Sequence, residues 1–363
     1  MAHRICWLVF ILALGNLAAC TAPLAPTTPS SVNLTPASHP LSPSYQRAAE
    51  YSRQHKGLAV IVLRGEQIVF EEYQNGFTAQ AVNRLASGTK SFAGILAVAA
   101  VQDGLLKLDE RAAATLLEWQ NDSRKSQITI RQILNQVDGM EDAANVLQGQ
   151  TGIANKYEHA LSLKLVAEPG NKFIYGPSHF SVFGEIMRRK LKPLNEDPLA
   201  YLERRVLNPI GFKYARWTRD QAGNPQFFAG TFTTARDWTN FGLFVKNRGV
   251  WNGKPLIPAD LMAECFKGST ANPAYGLTFW LNAPTDAANA SSANADSETE
   301  PQIKNPGGGK TVISQDAPAD LVMAAGAGKQ RLYIIPSLDL VVTRFGDGGP
   351  FEDSEFLGLL LGK

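Results

Sequence analysis

The sequence predicts an α+β fold: one antiparallel sheet built from both chain ends, flanked by terminal helices, with a mostly helical region inserted between its two halves. Three observations predict it. β-Branched runs occur at Leu58–Leu63 and Gln67–Tyr73 near the start of the folded part. Similar runs return at Asp320–Ala325, Gln330–Ile335 and Leu338–Phe345 near its end, while the middle carries helical spacing. Short turn sequences, Arg64-Gly65-Glu66, Gly326-Ala327-Gly328 and Pro336-Ser337, separate the strands within each group. The economical assembly joins both groups in one sheet, because consecutive strands tend to be neighbours.

The chain is long enough for such a body. It has 363 residues, 44% of them hydrophobic and 19% charged, which excludes disorder throughout. Lys and Arg number 35 against 33 Asp and Glu, with the signs interspersed, so no footprint for a nucleic-acid backbone is present. Cys6, Cys20 and Cys265 are too few and too far apart for a zinc ribbon or a disulfide framework.

Taken in order, Met1–Arg4 gives a short basic start, Ile5–Gly15 an apolar stretch, and Leu17-Ala18-Ala19-Cys20 a small-residue cleavage region. As a helix the apolar stretch rises about 16 Å, short of the roughly 30 Å hydrocarbon core, so an export signal fits better than a spanning helix. Leu-Ala-Ala-Cys resembles the bacterial lipobox, which implies cleavage after residue 19 and lipidation of Cys20. Thr21 after the cysteine implies outer-membrane sorting, facing the periplasm of a bacterial envelope. Residues 20–44 are rich in Pro, Ser and Thr and read as an unfolded tether that holds a globular body, residues 45–363, off the membrane. Residues 283–301 turn to Ala, Asn, Ser, Asp and Glu and read as a mobile insertion.

In the folded part Tyr45–Gln54 has helical spacing ahead of the first hairpin, and a helix is expected to start at or just before Ser87 and to end at Asp103-Gly104. Glu352–Leu361 closes the chain as an amphipathic helix. Ser87-Gly88-Thr89-Lys90 is the chain's S-x-x-K motif. At positions i and i+3 of a helix the two side chains share a face, so Lys90 can reach the Ser87 hydroxyl. A lysine whose pKa is pushed down by desolvation can take the serine proton, and free N–H groups at a helix start can stabilise an oxyanion. A chain of this length carries about one such motif by chance, and a Ser N-cap beside a solvated Lys is the plain alternative.

Context lifts the motif. Leu85-Ala86-Ser87-Gly88-Thr89-Lys90-Ser91-Phe92, Asp103-Gly104-Leu105-Leu106-Lys107-Leu108-Asp109 and Ile128-Thr129-Ile130-Arg131-Gln132-Ile133-Leu134 follow one another in order. Pro169-Gly170-Asn171-Lys172-Phe173-Ile174-Tyr175, the stretch Ala229–Trp238 and Gly326-Ala327-Gly328-Lys329-Gln330 come after them. With these the chain, over residues 45–363, resembles the serine β-lactamase and penicillin-binding-protein superfamily, and within it the class C β-lactamase-related esterases and amide hydrolases. The resemblance implies a β-lactamase/transpeptidase-like fold. It implies Ser87 as the nucleophile that forms an acyl-enzyme, Lys90 as the proton shuttle, and Tyr175 as the general base or acid for deacylation. Lys90 and Tyr175 share protons as a coupled pair, so the sequence assigns neither to one half-reaction. The oxyanion hole would pair the Ser87 N–H with one near Gly326 and Ala327, where glycine would let a substrate approach the backbone closely.

Two departures narrow the substrate. Tyr175-Gly176-Pro177 places proline where the β-lactam-handling members have an asparagine, leaving Ser178 as the available substitute for that substrate contact. Ala324-Ala325-Gly326 stands where a Lys or His usually begins the third motif, so no cation there meets a substrate carboxylate. Both losses favour small neutral esters or linear amides over β-lactams. The competing readings are a peptidoglycan D-alanyl peptidase or weak β-lactamase, and a non-catalytic cell-wall-binding lipoprotein. No cofactor, metal or protein partner is implied; the partners are a small ester or amide and, through Cys20, the membrane.

The remaining motifs read as structure. Gly307-Gly308-Gly309-Lys310-Thr311 is a loop, because Lys304 and Pro306 spoil a phosphate-loop pattern. His159 and His179 have no metal-ligand spacing, and His179 reads as a first-turn helix residue. Trp217, Trp238, Trp251 and Trp280 read as core or pocket wall, Cys265 as a buried thiol, and Arg236-Asp237 as a structural ion pair.

Overall fold

Strand residues alternate between two buried faces, which makes the main sheet the middle layer of three. The computed structural model describes residues 42–148, 152–285 and 312–363. The signal segment, Cys20, the tether before residue 42, the glycine run at 307–311 and most of the 283–301 insertion lie outside the described residues. The chain runs through α1 (Pro43–Gln54), β1 (Gly57–Arg64), β2 (Gln67–Tyr73), β3 (Asn83–Arg84), a 3-10 turn (Ala86–Lys90) and α2 (Ser91–Gln102). The inserted region follows with α3 (Ile130–Leu134), α4 (Ala144–Leu147), α5 (Lys156–Leu161), α6 (Ser178–Leu191) and α7 (Pro198–Leu202). Then come β4 (Arg216–Trp217), β5 (Thr231–Thr233), α8 (Ala235–Lys246), β6 (Val250–Trp251), β7 (Lys254–Pro255) and α9 (Ala259–Glu264). The chain closes with β8 (Trp280–Leu281), β9 (Val322–Gly326), β10 (Gln330–Ile335), β11 (Leu340–Gly346) and α10 (Asp353–Leu361).

The main sheet has the order β2-β1-β11-β10-β9-β8, every pair antiparallel, so β1 from the start of the chain pairs with β11 from its end. The expected assembly of both chain ends into one sheet is present, with strand boundaries shifted by a residue or two at the β9 and β11 ends. On one face Ala59, Ile61, Leu63, Leu332, Ile334, Val341 and Phe345 join the core shared with the helical region. On the other, Val60, Val62, Tyr333, Ile335 and Val342 pack with Ala48 and Ala49 of α1 and Phe356, Leu357 and Leu360 of α10. This period-two split is what a sheet covered on both sides requires.

Helix α2 is buried from Ser91 to Ala100, on all sides, as its run of Ala, Val, Leu and Ile demands. A second small sheet, β3-β5-β4, lies beside its start. Among the described residues no helix is long and apolar enough to cross a membrane.

Candidate active site

The turn before α2 is built to present one serine. Ala86 takes a left-handed φ of 47°, a conformation that strains a residue with a side chain by about 1 to 2 kcal/mol. The surroundings hold it there. Leu85 N–H donates to Thr231 O (2.9 Å), Gly88 N–H to Leu85 O (2.9 Å), and Thr231 N–H to Thr89 Oγ1 (3.1 Å), which sews the turn to β5. Ser91 Oγ donates to Gly88 O at 2.7 Å, which ties the turn to the start of α2. A Cβ on Gly88 would stand 2.9 Å from Trp238 Cζ2, which lets only glycine keep the turn against that ring. Ser87 follows Ala86 and is 8% exposed.

Lys90 reaches back one turn. Its Nζ donates to Ser87 Oγ at 2.8 Å and to the Phe228 carbonyl at 3.1 Å, and it is 1% exposed. Among the described residues it has no carboxylate partner. Burial, helped by the positive charge of Arg84, pushes its pKa down to about 7.

Tyr175 comes from the stretch before α6. Gln136, itself in a left-handed φ of 56°, anchors that stretch: its backbone O accepts from Ile174 N–H and its Oε1 from Gly176 N–H, both at 2.9 Å. The Tyr175 ring packs against Trp280 and Tyr275, with centroids 5.6 and 6.1 Å away. Lys90 Nζ lies 4.7 Å from the Tyr175 ring centroid. Serine, amine and phenol therefore converge, although 85 positions separate Lys90 from Tyr175 in sequence.

Gly326 closes the site from the sheet. Among the described residues β8 pairs only with Val322 and Met323 of β9, and none pairs with the Ala324–Gly326 end on that side. A Cβ on Gly326 would fall 2.0 Å from Leu85 O and 3.0 Å from Gly88 N. Glycine is thus needed here so that the Ser87 turn itself can press on the strand, a different reason from the substrate approach expected from sequence. Ala327, half-buried, begins the β9–β10 turn. Ser178 is fully buried in the first turn of α6; among the described residues its hydroxyl has no hydrogen-bond partner, and it is closed to solvent.

Other expectations are placed as follows. His179 lies in the first turn of α6, and its Nδ1 meets Asp138 Oδ2 at 2.8 Å with both side chains fully buried. The four tryptophans and Cys265 are buried. Arg236 does not pair with Asp237: its guanidinium takes both oxygens of Glu71 at 2.6 Å, while Thr234 caps α8 by accepting the Asp237 N–H and the Asp237 carboxylate accepts from Lys213 N–H. Neighbours in the first turn of a helix point different ways, so adjacency in sequence gave no contact. A cavity of about 310 Å³ at the opposite end of β9, between Val245, Phe266, Leu281, Leu321 and Ile334, touches none of Ser87, Lys90 and Tyr175. Among the described residues no group of three His, Cys, Asp or Glu could hold a metal ion.

The Beta-lactamase family profile matches residues 44–352. The chain belongs to the β-lactamase family. Solved structures of the same fold include a putative β-lactamase from Bacteroides dorei DSM 17855, with TM-score 0.66, 16% identity, and 90% of this chain and 100% of that one covered. EstCE1, a hydrolase with promiscuous acyltransferase activity, aligns with TM-score 0.64 at 15% identity, over 88% of this chain and 97% of its own. A D-stereospecific amidohydrolase from Streptomyces sp. aligns with TM-score 0.57 at 15% identity, over 85% and 95%. At such identities the likeness is one of fold. A search of curated proteins finds no match. Family membership makes this chain a hydrolase of the β-lactamase fold, and the convergence of Ser87, Lys90 and Tyr175 lies where the fold brings its sheet edge to the helical region.

Three features of this β-lactamase-family site were absent from the sequence reading. The Phe228 carbonyl that holds Lys90 carries no side-chain signal, the strain at Ala86 occurs without a glycine to mark it, and Gln136 lies 39 positions before the tyrosine it helps place.

Proposed function

We propose that this hydrolase cleaves small esters or linear amides through an acyl-enzyme on Ser87. The supporting observation is the 2.8 Å contact between Ser87 Oγ and a buried Lys90 amine whose pKa is pushed down to about 7. As a neutral amine Lys90 accepts the hydroxyl proton across that contact while Oγ attacks the substrate carbonyl carbon. The carbonyl oxygen takes up the negative charge, stabilised by the Ser87 N–H and a backbone N–H of the Gly326–Ala327 turn. Collapse expels the leaving alcohol or amine, which receives the proton. Water then attacks the ester bond to Ser87, with Tyr175 as general base or acid and Lys90 beside its ring, and returns Ser87 to its hydroxyl form.

The substrate reading rests on Pro177, which offers no amide to orient an acylamino group, and on Ala324, which offers no charge. The fold relatives include an amidohydrolase and a hydrolase with acyltransferase activity, in keeping with acyl transfer to and from a serine.

A fluorophosphonate probe tests the mechanism: mass spectrometry should place one covalent adduct on Ser87, absent in Ser87→Ala. No adduct, or one elsewhere, overturns it. A short-chain nitrophenyl ester should be hydrolysed faster than a chromogenic cephalosporin, and the reverse order overturns the substrate reading. The location follows from the N-terminal sequence alone: export, cleavage before Cys20, lipidation of that cysteine and an outer-membrane anchor. An alkyne fatty acid fed to expressing cells should label the wild type but not Cys20→Ala.

A further inference from the structure

The small sheet beside the nucleophile has one buried face and one exposed face, and the two differ in chemistry. Thr231 and Thr233 of β5 are fully buried. Phe232 between them points the other way, opposite Arg84 on β3 and opposite Arg216 on β4. Residues directly opposite in antiparallel strands share a face, so Arg84, Phe232 and Arg216 form one row. The Arg216 guanidinium lies 4.0 Å from the Phe232 ring centroid, which fixes its position. Both arginines are exposed, and among the described residues neither has an ion-pair partner.

This row flanks the candidate site. Arg84 is three positions before Ser87, a span of at most about 10 Å of backbone. Asn83 Nδ2 donates to Gln330 Oε1 at 3.1 Å, and Gln330 is the β10 partner of Gly326, so β3 sits against the strand end that closes the site. Arg84 is near enough for its charge to act on Lys90. Two cations on one row, Arg216 held by the Phe232 ring and Arg84 close enough to act on Lys90, are arranged for an anion, and a planar guanidinium suits a carboxylate.

We propose that Arg84, supported by Phe232 and Arg216, binds a carboxylate of the substrate, so that the enzyme prefers esters or amides carrying a negative charge a few bonds from the scissile carbonyl. The cation missing from Ala324 is supplied by the small sheet instead, and the expectation of neutral substrates gives way to one of singly charged ones. The proposal rests on the acyl-enzyme reading in that Ser87 must be the atom the bound substrate reaches.

Paired substrates test it. On the acyl side, 4-nitrophenyl hydrogen glutarate is compared with 4-nitrophenyl butyrate; on the leaving-group side, 3-carboxyphenyl butyrate with phenyl butyrate. In at least one pair the charged ester should have a kcat/KM about tenfold higher, mainly through KM, and the preference should fade in about 0.5 M salt. Arg84→Gln should reduce that charged-to-neutral ratio about tenfold, Arg216→Gln less, and Arg84→Lys should keep part of it. The ratio cancels any effect of Arg84 on Lys90, which both esters feel alike. A ratio near one in both pairs, or one unchanged by Arg84→Gln, overturns the preference while ester cleavage stands. No cleavage of any ester together with no Ser87 adduct overturns the acyl-enzyme reading, and the preference falls with it.

Discussion

Lys90 and Arg331 are both fully buried cations near Gly326, and they are kept in opposite ways. Arg331 Nε and Nη2 donate to the two oxygens of buried Asp353 at 2.7 and 3.2 Å, and its Nη1 to Gly326 O at 3.2 Å. Burial works against that charge, but Asp353, with help from Tyr333, more than offsets it and the guanidinium is held above its usual pKa. Lys90 is given only a hydroxyl and a carbonyl, and it loses its hold on the proton near neutrality. The same burial yields a permanent tie between α10 and the end of β9 in one case, and in the other an amine that the proposed mechanism uses as proton acceptor. What separates them is one carboxylate.

The largest break in this comparison is expected in activity. Ser87→Ala should lower kcat/KM on a nitrophenyl ester by on the order of 10⁴-fold or more, and Lys90→Met by about 10³-fold, whereas Arg331→Lys, which keeps a charge opposite Asp353, should stay within about tenfold. Steady-state kinetics on the three variants decide it. If Arg331→Lys is as damaging as Lys90→Met, the division into a reactive and a structural cation is wrong.

Stability should divide the pair the other way. Arg331→Met strands the Asp353 carboxylate in the interior and should cost about 3 to 5 kcal/mol in urea unfolding. Lys90→Met removes a charge that burial disfavours, and although the Phe228 carbonyl loses a donor, the net change should stay within about 1 kcal/mol at pH 7. Equal losses in the two variants would mean that Lys90 is as structural as Arg331.

The two cations also differ in how far the sequence announced them. Ser87 and Lys90 are four residues of one turn, and their contact follows from helical geometry, although the turn is a tight 3-10 one with α2 beginning only at Ser91. The two-ended sheet was legible for a similar reason, since its strands are short local patterns and a hairpin rule joins them. Arg331 and Asp353 lie on β10 and α10, 22 positions apart, and no local pattern marks them as partners. The same holds for His179 with Asp138 and for Arg236, which passes over its neighbour Asp237 to reach Glu71. Tyr175 was identified through resemblance, because a tyrosine before a helix carries no chemical signature of its own; its place against Lys90 depends on Gln136, Tyr275 and Trp280, each fixed by tertiary packing. Charge pairing and packing across the sheet are set by the fold as a whole, whereas a motif within one turn is set by the chain.

The smallest expected effect is the pH dependence of Lys90, which joins activity and stability in one residue. Only the neutral amine can accept the Ser87 proton, so kcat/KM for acylation should rise about tenfold per unit below pH 7 and level off above it, with the midpoint at the depressed pKa of about 7. In the unfolded chain the same lysine titrates near 10.4. Between about 7 and 10.4 the unfolded state therefore holds a proton that the folded state lacks, and stability attributable to Lys90 increases with pH across that window; below about 7 both states are protonated and the burial penalty is constant. Urea midpoints of wild type and Lys90→Met, measured from pH 6 to 9.5, should accordingly keep a constant difference below about pH 7 and shift in the wild type's favour above it. Arg84→Gln removes the cation that helps lower this pKa and should move the kinetic midpoint upward by less than about one pH unit, the modest size following from the exposure of Arg84. A midpoint that moves down, or wild-type and Lys90→Met curves that stay parallel, would place the titrating group on another residue and return Lys90 to the company of Arg331.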